Sequence, residues 1–209
     1  MPQLQDAIID IKLTKTHINN VMAGESLFKE LELEAFRAGI TPRTKESIRW
    51  FQDKARQMFR GRVMKNRKEV FEDDLLNKSG KPRTNVKGPV GNMYMFFYDP
   101  KGKKTLPYYD GFPLIIMMGP APGGFYGVNL HYLPPAARAR VLDAVLGSGG
   151  KIPKRFIAPA MKRYLFSHVK SSFAEVEKPE WEIATFLPMA DWNKAGASKV
   201  YRDSRKKMV

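Results

Sequence analysis

Residues Met93–Leu133 read MYMFFYDPKGKKTLPYYDGFPLIIMMGPAPGGFYGVNLHYL. Short apolar and aromatic runs alternate here with Asp99-Pro100, Lys101-Gly102-Lys103-Lys104, Tyr109-Asp110-Gly111 and the Gly/Pro-rich stretch Gly119–Gly124. Sticky runs of this length, bounded by turn chemistry, fit a tightly turned antiparallel sheet. The spacing predicts three strands, Met93–Tyr98, Phe112–Met118 and Phe125–Tyr132, with turns at Asp99–Gly102 and Tyr109–Gly111. Pro134-Pro135 stops the third strand and opens a helix over Ala136–Leu146. Val141, Leu142, Val145 and Leu146 give that helix its apolar side, and Gly147–Gly150 end it.

Upstream, Leu27, Phe28, Leu31, Ala35 and Phe36 recur at helical spacing, which predicts a helix over Glu25–Ala38 closed by Gly39. Thr41-Pro42 has the form of an N-cap followed by a first-turn proline, and it opens a second helix. Ile48, Phe51, Ala55, Met58 and Phe59 form the apolar stripe of that helix. Residues 77–92, NKSGKPRTNVKGPVGN, have the composition of a linker. Ile8, Ile9, Ile11 and Leu13 fit a short strand or a docking arm. Downstream, Pro159–Val169 reads as a helix with Met161, Leu165, Phe166 and Val169 inward. Trp181–Leu187 reads as a late strand, and Ser198–Met208 as a short cationic tail compatible with a helix.

The division that follows is a helical basic region (residues 1–76), a linker (77–92), a β-barrel-like module with inserted helices (93–190) and a basic tail (191–209). The fold class is α+β, with a small antiparallel barrel, SH3-like or related, decorated by helices.

The 209 residues carry 36 Lys and Arg against 21 Asp and Glu, a formal charge of +15. Such an excess points to a polyanionic partner or a place in a highly charged assembly. Between Lys54 and Lys68 there are seven cations and no acidic residue. A face of that kind repels itself unless an anion meets it. The candidate phosphate contacts are Lys54, Arg56, Arg60, Arg62, Lys65, Arg67 and Lys68 in this segment. Lys81, Arg83 and Lys87 join them from the linker, Lys101, Lys103 and Lys104 from the first β turn, and Arg205, Lys206 and Lys207 from the tail.

There is no cysteine, which excludes disulfides and thiolate metal sites. No apolar run approaches the roughly twenty residues that span a bilayer. His17, His131 and His168 have no partners at metal-ligand spacing, and His131 reads as a sheet or surface residue. No G-x-S-x-G elbow is present. Gly147–Lys151 lacks the Ser or Thr of a phosphate loop and follows a helix. Glu72-Asp73-Asp74 is the densest acidic cluster, but metal-dependent cleavage needs carboxylates held together around the ion. The Glu175–Lys178 segment misses the nuclease Glu-x-Lys spacing by one residue. No cofactor or metal and no catalysis is expected. Tyr94, Phe96 and Tyr98 alternate with Met93, Met95 and Phe97. One set faces a core, and the other is either buried as well, the commoner fate, or exposed to stack on bases.

The stretch YDPKGKKTLPYYDGFPLI…GFYGVNLHYLPPAARARVLDAVL, with the later FLPMADWNKAGASKVYRDSRKKM, resembles the DNA end protector family of tailed phages, the myoviruses, over residues 93–209. The resemblance implies a virion protein, made in a bacterial cytoplasm, that binds double-stranded DNA at genome ends and shields them from host exonuclease. It also implies contact with other virion proteins of the portal, neck or tail, and no membrane. The Leu-Pro-Tyr-Tyr-Asp string marks the family without supplying an active site. Two other readings remain open at this level: a structural component of neck, tail or baseplate without end binding, and a metal-dependent nuclease.

Overall fold

The computed structural model describes residues 27–41, 44–61, 68–84, 89–147 and 154–208. The Ile8–Leu13 arm, His17, Pro42, the cations Arg62, Lys65, Arg67 and Lys87, and the Ser148–Lys151 segment lie outside these residues.

Alternation along Met93–Tyr98 sets the architecture. Met93 and Met95 enter one buried cluster, with Phe97 packed against it, while Tyr94 and Phe96 enter a second, with Tyr98 against that one. Successive side chains of a strand point to opposite faces, so an all-apolar strand needs cover on both. The first face is covered by α1 (Leu27–Arg37), α2 (Lys45–Gly61), α4 (Pro135–Gly147) and α6 (Trp181–Phe186), through Phe28, Leu31, Phe51, Phe59, Val141 and Trp181. The second is covered by α3 (Lys68–Leu75), through Phe71 and Leu75, and by Phe166 and Phe173. Phe173 stacks on Phe71, ring centroids 4.5 Å apart, and meets Tyr94, Phe96 and Phe125. Both alternating sets are therefore core.

The sheet is antiparallel throughout. β1 (Met93–Met95) lies between β3 (Leu114–Ala121) and β6 (Ala174–Val176); β3 pairs with β4 (Gly124–Asn129), and β4 with β5 (Met161–Leu165). The order is β5–β4–β3–β1–β6. The edges β5 and β6 do not pair, so the expected barrel is not formed. A barrel has one buried interior face, whereas here both faces of β1 and β3 are occupied by apolar layers and the sheet stays open. A two-stranded ribbon pairs β2 (Tyr109–Asp110) with β7 (Trp192–Asn193).

The β3–β4 hairpin turns on Pro122-Gly123, with Gly123 at φ +66°. Proline followed by a residue of positive φ is the requirement of a type II turn. A bulge between Met117 and Gly119 leaves Met118 without a partner, and it points to solvent. Gly124 is required by contact: a Cβ there would lie 1.8 Å from the Tyr164 carbonyl oxygen of β5. Glycine thus allows β4 and β5 to approach.

Four expectations change besides the barrel. Residues 159–169 form β5 and a short 3₁₀ turn, Phe166–His168, because Met161–Leu165 pairs along β4. Trp181–Phe186, within the expected strand Trp181–Leu187, is helical, because Trp181 and Ala184 are three apart and both enter the core. Of the expected turn Tyr109-Asp110-Gly111, Tyr109 and Asp110 are ribbon, since β7 pairs with them across more than eighty residues. Helix α2 begins at Lys45, with Thr41 outside it: the Thr44 hydroxyl accepts the Ser47 amide (3.1 Å), and the Ser47 hydroxyl accepts the Thr44 amide (2.9 Å). The predicted helix over Ala136–Leu146 is α4, and the tail is α7 (Ala197–Met208). Inside the segment read as a linker, Asn77 Oδ1 accepts the Ser79 and Lys81 amides, and Gly80 O accepts from Gly123 N of the hairpin.

Candidate nucleic-acid interface

The site grows from the end of β4. Asn129 and His131 are fully buried there, and Asp110 of β2 is 3% exposed. Asp110 Oδ2 accepts from Asn129 Nδ2 at 3.1 Å and meets His131 Nδ1 at 2.7 Å; Oδ1 accepts the Phe112 and Asp191 amides, both at 3.0 Å. Desolvation works to raise the Asp110 pKa. The His131 ring and the hydrogen bonds from His131, Asn129 and Phe112 outweigh it and hold the carboxyl below its ordinary 3.8. This knot ties the ribbon to the sheet. His131 Nε2 is buried without a hydrogen-bond partner among the described residues, so the Asp–His pair presents no reactive nitrogen to solvent. His131, expected as a sheet or surface residue, is instead a buried anchor in the 3₁₀ turn Leu130–Tyr132.

Above the knot lies a cavity of about 350 Å³. It is lined by the Leu106–Asp110 segment, by the buried Tyr132 and Asn129 as its floor, and by Lys162, Arg163, Tyr164 and Lys207, with Tyr98 and Pro100. The floor is rigidly held, since Asn129 Nδ2 also donates to Tyr164 Oη at 3.1 Å. Burial keeps the Tyr132 and Tyr164 phenols raised well above the ordinary tyrosine value, hence neutral; both rings belong to the core, Tyr164 stacked on Phe125 and Tyr132 beneath the Lys162 ammonium. Helix α7 is clamped beside this floor. Ser204 donates to Tyr132 O, and Arg138 Nη2 donates to Tyr201 Oη at 2.7 Å. The Arg138 guanidinium, itself buried, also donates to the Leu133, Thr185 and His131 carbonyls.

Lys162 Nζ lies 4.1 Å from the Tyr132 ring centroid and donates to Pro159 O at 2.9 Å. It pairs with no carboxylate among the described residues. Burial, then the nearby Lys207 charge, bring its pKa down to about 8. A second concavity carries Arg60 and Lys170 together with Asp99 and Asp191, Phe97 and Asn193, and it shares Tyr98 and Tyr109 with the first. Arg60 and Lys170 thus line the second concavity, and Lys162, Arg163 and Lys207 the first.

The expected phosphate contacts divide on this geometry. Lys54 pairs with Glu34 at 3.2 Å, Arg56 with Asp53 and Asp191 at 2.8 and 2.9 Å, and Lys103 with Asp99 at 2.9 Å. The Arg83 Nε donates to Leu76 O, and Lys68 is half-buried in the first turn of α3. Lys81, Lys101 and Lys104 are exposed. Arg60 is exposed, with its guanidinium 5.1 Å from the Phe97 ring. Arg205, Lys206 and Lys207 project from the last turns of α7. The sequence reading misses Lys162 and Arg163 because it expects a helix there. Taken as a strand, residues 161–165 place Lys162 and Tyr164 on one side, which is the signal that would have found them. Among the described residues no group of three or more His, Asp and Glu could hold a metal ion.

A family model described as phage T4 terminal DNA protecting protein matches residues 43–155, more than half of the chain. The match contains the Leu106–Asp110 string and the Asn129–Tyr132 floor. Neither a curated protein nor a solved structure matches the chain.

Proposed function

Because the chain belongs to the family of the phage T4 terminal DNA protecting protein, we propose that it binds the ends of a linear double-stranded phage genome and blocks exonucleases from them. The family match is the observation that carries this reading. The structure supports it with Lys162, Arg163 and Lys207 gathered at a tyrosine-lined cavity. Occupying an end needs no bond-making. Cations neutralise the last phosphates and release their counterions, and the folded body stands where an exonuclease must thread the strand. On this reading the protein belongs to the virion, on the packaged genome ends and beside the portal, neck or tail proteins.

An exonuclease assay tests this. Saturating protein should slow digestion of a blunt linear duplex by a processive exonuclease at least tenfold. With Mg²⁺ and no exonuclease, the protein should leave the duplex uncut. Digestion at an unchanged rate under saturating protein contradicts end protection, and metal-dependent cutting by the protein returns the nuclease reading.

A further inference from the structure

The tyrosine cavity is too small for a duplex. At about 350 Å³ it sits at the small end of ligand pockets, the size class of a single nucleotide. Its walls supply what one nucleotide offers contacts for: aromatic rings for a base and clustered ammonium and guanidinium groups for a phosphate. We propose that this cavity receives the frayed terminal nucleotide of the bound duplex, its base against the half-buried Tyr108 and Tyr109 and its phosphate among Lys162, Arg163 and Lys207. The proposal rests on the end-binding reading above and supplies its source of end selectivity.

The physical case has three parts. Extruding a nucleotide from a duplex costs a few kcal/mol of unstacking and unpairing. A terminal nucleotide has one stacking neighbour and one backbone connection, so it enters at lower cost than an internal nucleotide, which must break two stacks and bend the chain on both sides. The cavity thereby separates ends from interior without reading sequence, because tyrosine stacks on any base. The receiving wall is pre-organised: the Asp110–Asn129–Tyr164 hydrogen bonds fix the floor before anything binds. Finally, the cations meet an unmet need. Lys162 is half-buried, beside Lys207 and without a carboxylate partner among the described residues, and a phosphate would offset that charge. The acidic groups nearby are already engaged. Asp110 lies within its knot, and Asp203 pairs with Lys199 at 3.3 Å and hydrogen-bonds the Tyr108 hydroxyl.

The test uses the whole protein and three DNAs of one sequence: a blunt linear duplex, the same duplex with each terminal base pair covalently cross-linked between strands, and a closed circle. The cross-linked duplex keeps its ends but cannot fray. The expected result is at least tenfold tighter binding of the ordinary linear duplex than of either other DNA. Tyr108→Ala and Lys162→Gln, each checked for an unaltered melting temperature, should each reduce the linear-over-circle preference at least fivefold. If the cross-linked duplex binds as tightly as the ordinary one, and both bind better than the circle, the cavity proposal is overturned while end binding stands. If the circle binds as tightly as the linear duplex, both fall. The cross-linked arm uses the unaltered protein, so its outcome does not depend on how the variants fold.

Discussion

Asp110→Ala is expected to cost about 3–5 kcal/mol, the loss that follows when one partner of a buried charged hydrogen-bond set is removed. Four donors converge on that carboxylate: Asn129 Nδ2, His131 Nδ1 and the Phe112 and Asp191 amides. All four would be left without their acceptor, three of them in buried hydrogen bonds. Against a typical total stability of about 5–15 kcal/mol, the variant stands at the edge of unfolding, which urea denaturation reads directly. Asp110→Asn should cost less, because one amide oxygen can still accept the Phe112 and Asp191 amides. The same carboxylate sets a pH signature. Its folded-state pKa is lowered, so its contribution is fully present above the unfolded value near 3.8 and is lost as pH falls through the lower folded value. Wild-type stability should therefore decline in acid below about pH 4, and the Asp110→Asn variant should show a shallower decline. A loss smaller than about 1 kcal/mol for Asp110→Ala, below the range for a broken buried pair, would mean the ribbon is not held by this knot.

The second large effect is on DNA affinity. With five to eight phosphate contacts, log affinity should fall against log salt with a slope of about −4 to −7, roughly a thousandfold between 50 and 200 mM salt. Lys162→Gln, Arg163→Gln and Lys207→Gln combined should flatten that slope by about 2–3 and lower affinity at least tenfold, or about 1.4 kcal/mol. Lys54→Gln with Arg56→Gln should do much less, because Glu34, Asp53 and Asp191 already neutralise those cations. A slope near zero at measurable affinity rules out phosphate contact as the basis of binding. A triple variant with an unchanged slope moves the contact surface elsewhere on the molecule.

The contrast between those two sets of cations also marks what is legible in the sequence. The β3–β4 hairpin and α4 are readable because their signals are local: a Pro-Gly turn between apolar runs, and a proline opening an apolar-striped segment. The charge run at Lys54–Lys68 is equally visible, but which of its members are free depends on partners such as Asp191, more than a hundred residues away. Residues 161–165 carry apolar spacing compatible with a helix, and only pairing with β4 makes them a strand. Trp181–Phe186 is rich in strand-forming residue types, and the core contacts of Trp181 and Ala184 override that preference. The barrel expectation fails for a related reason. Alternating Met and aromatic residues in β1 announce burial without saying that both faces are covered. The cavity itself is half legible. Leu106–Asp110 stands out as a family string, yet its role as a wall emerges only when Lys162, Arg163 and Lys207 are folded against it.

Whether the protein recognises ends is decided by competition between a blunt linear duplex and a covalently closed circle of the same sequence and length. Both are compared at one salt concentration, since salt shifts both affinities. The linear duplex should bind at least tenfold tighter, with about two proteins per molecule at saturation, one at each end. Equal affinity for circle and linear DNA, with occupancy growing with duplex length, would refute end recognition and leave a protein that contacts DNA anywhere along its backbone.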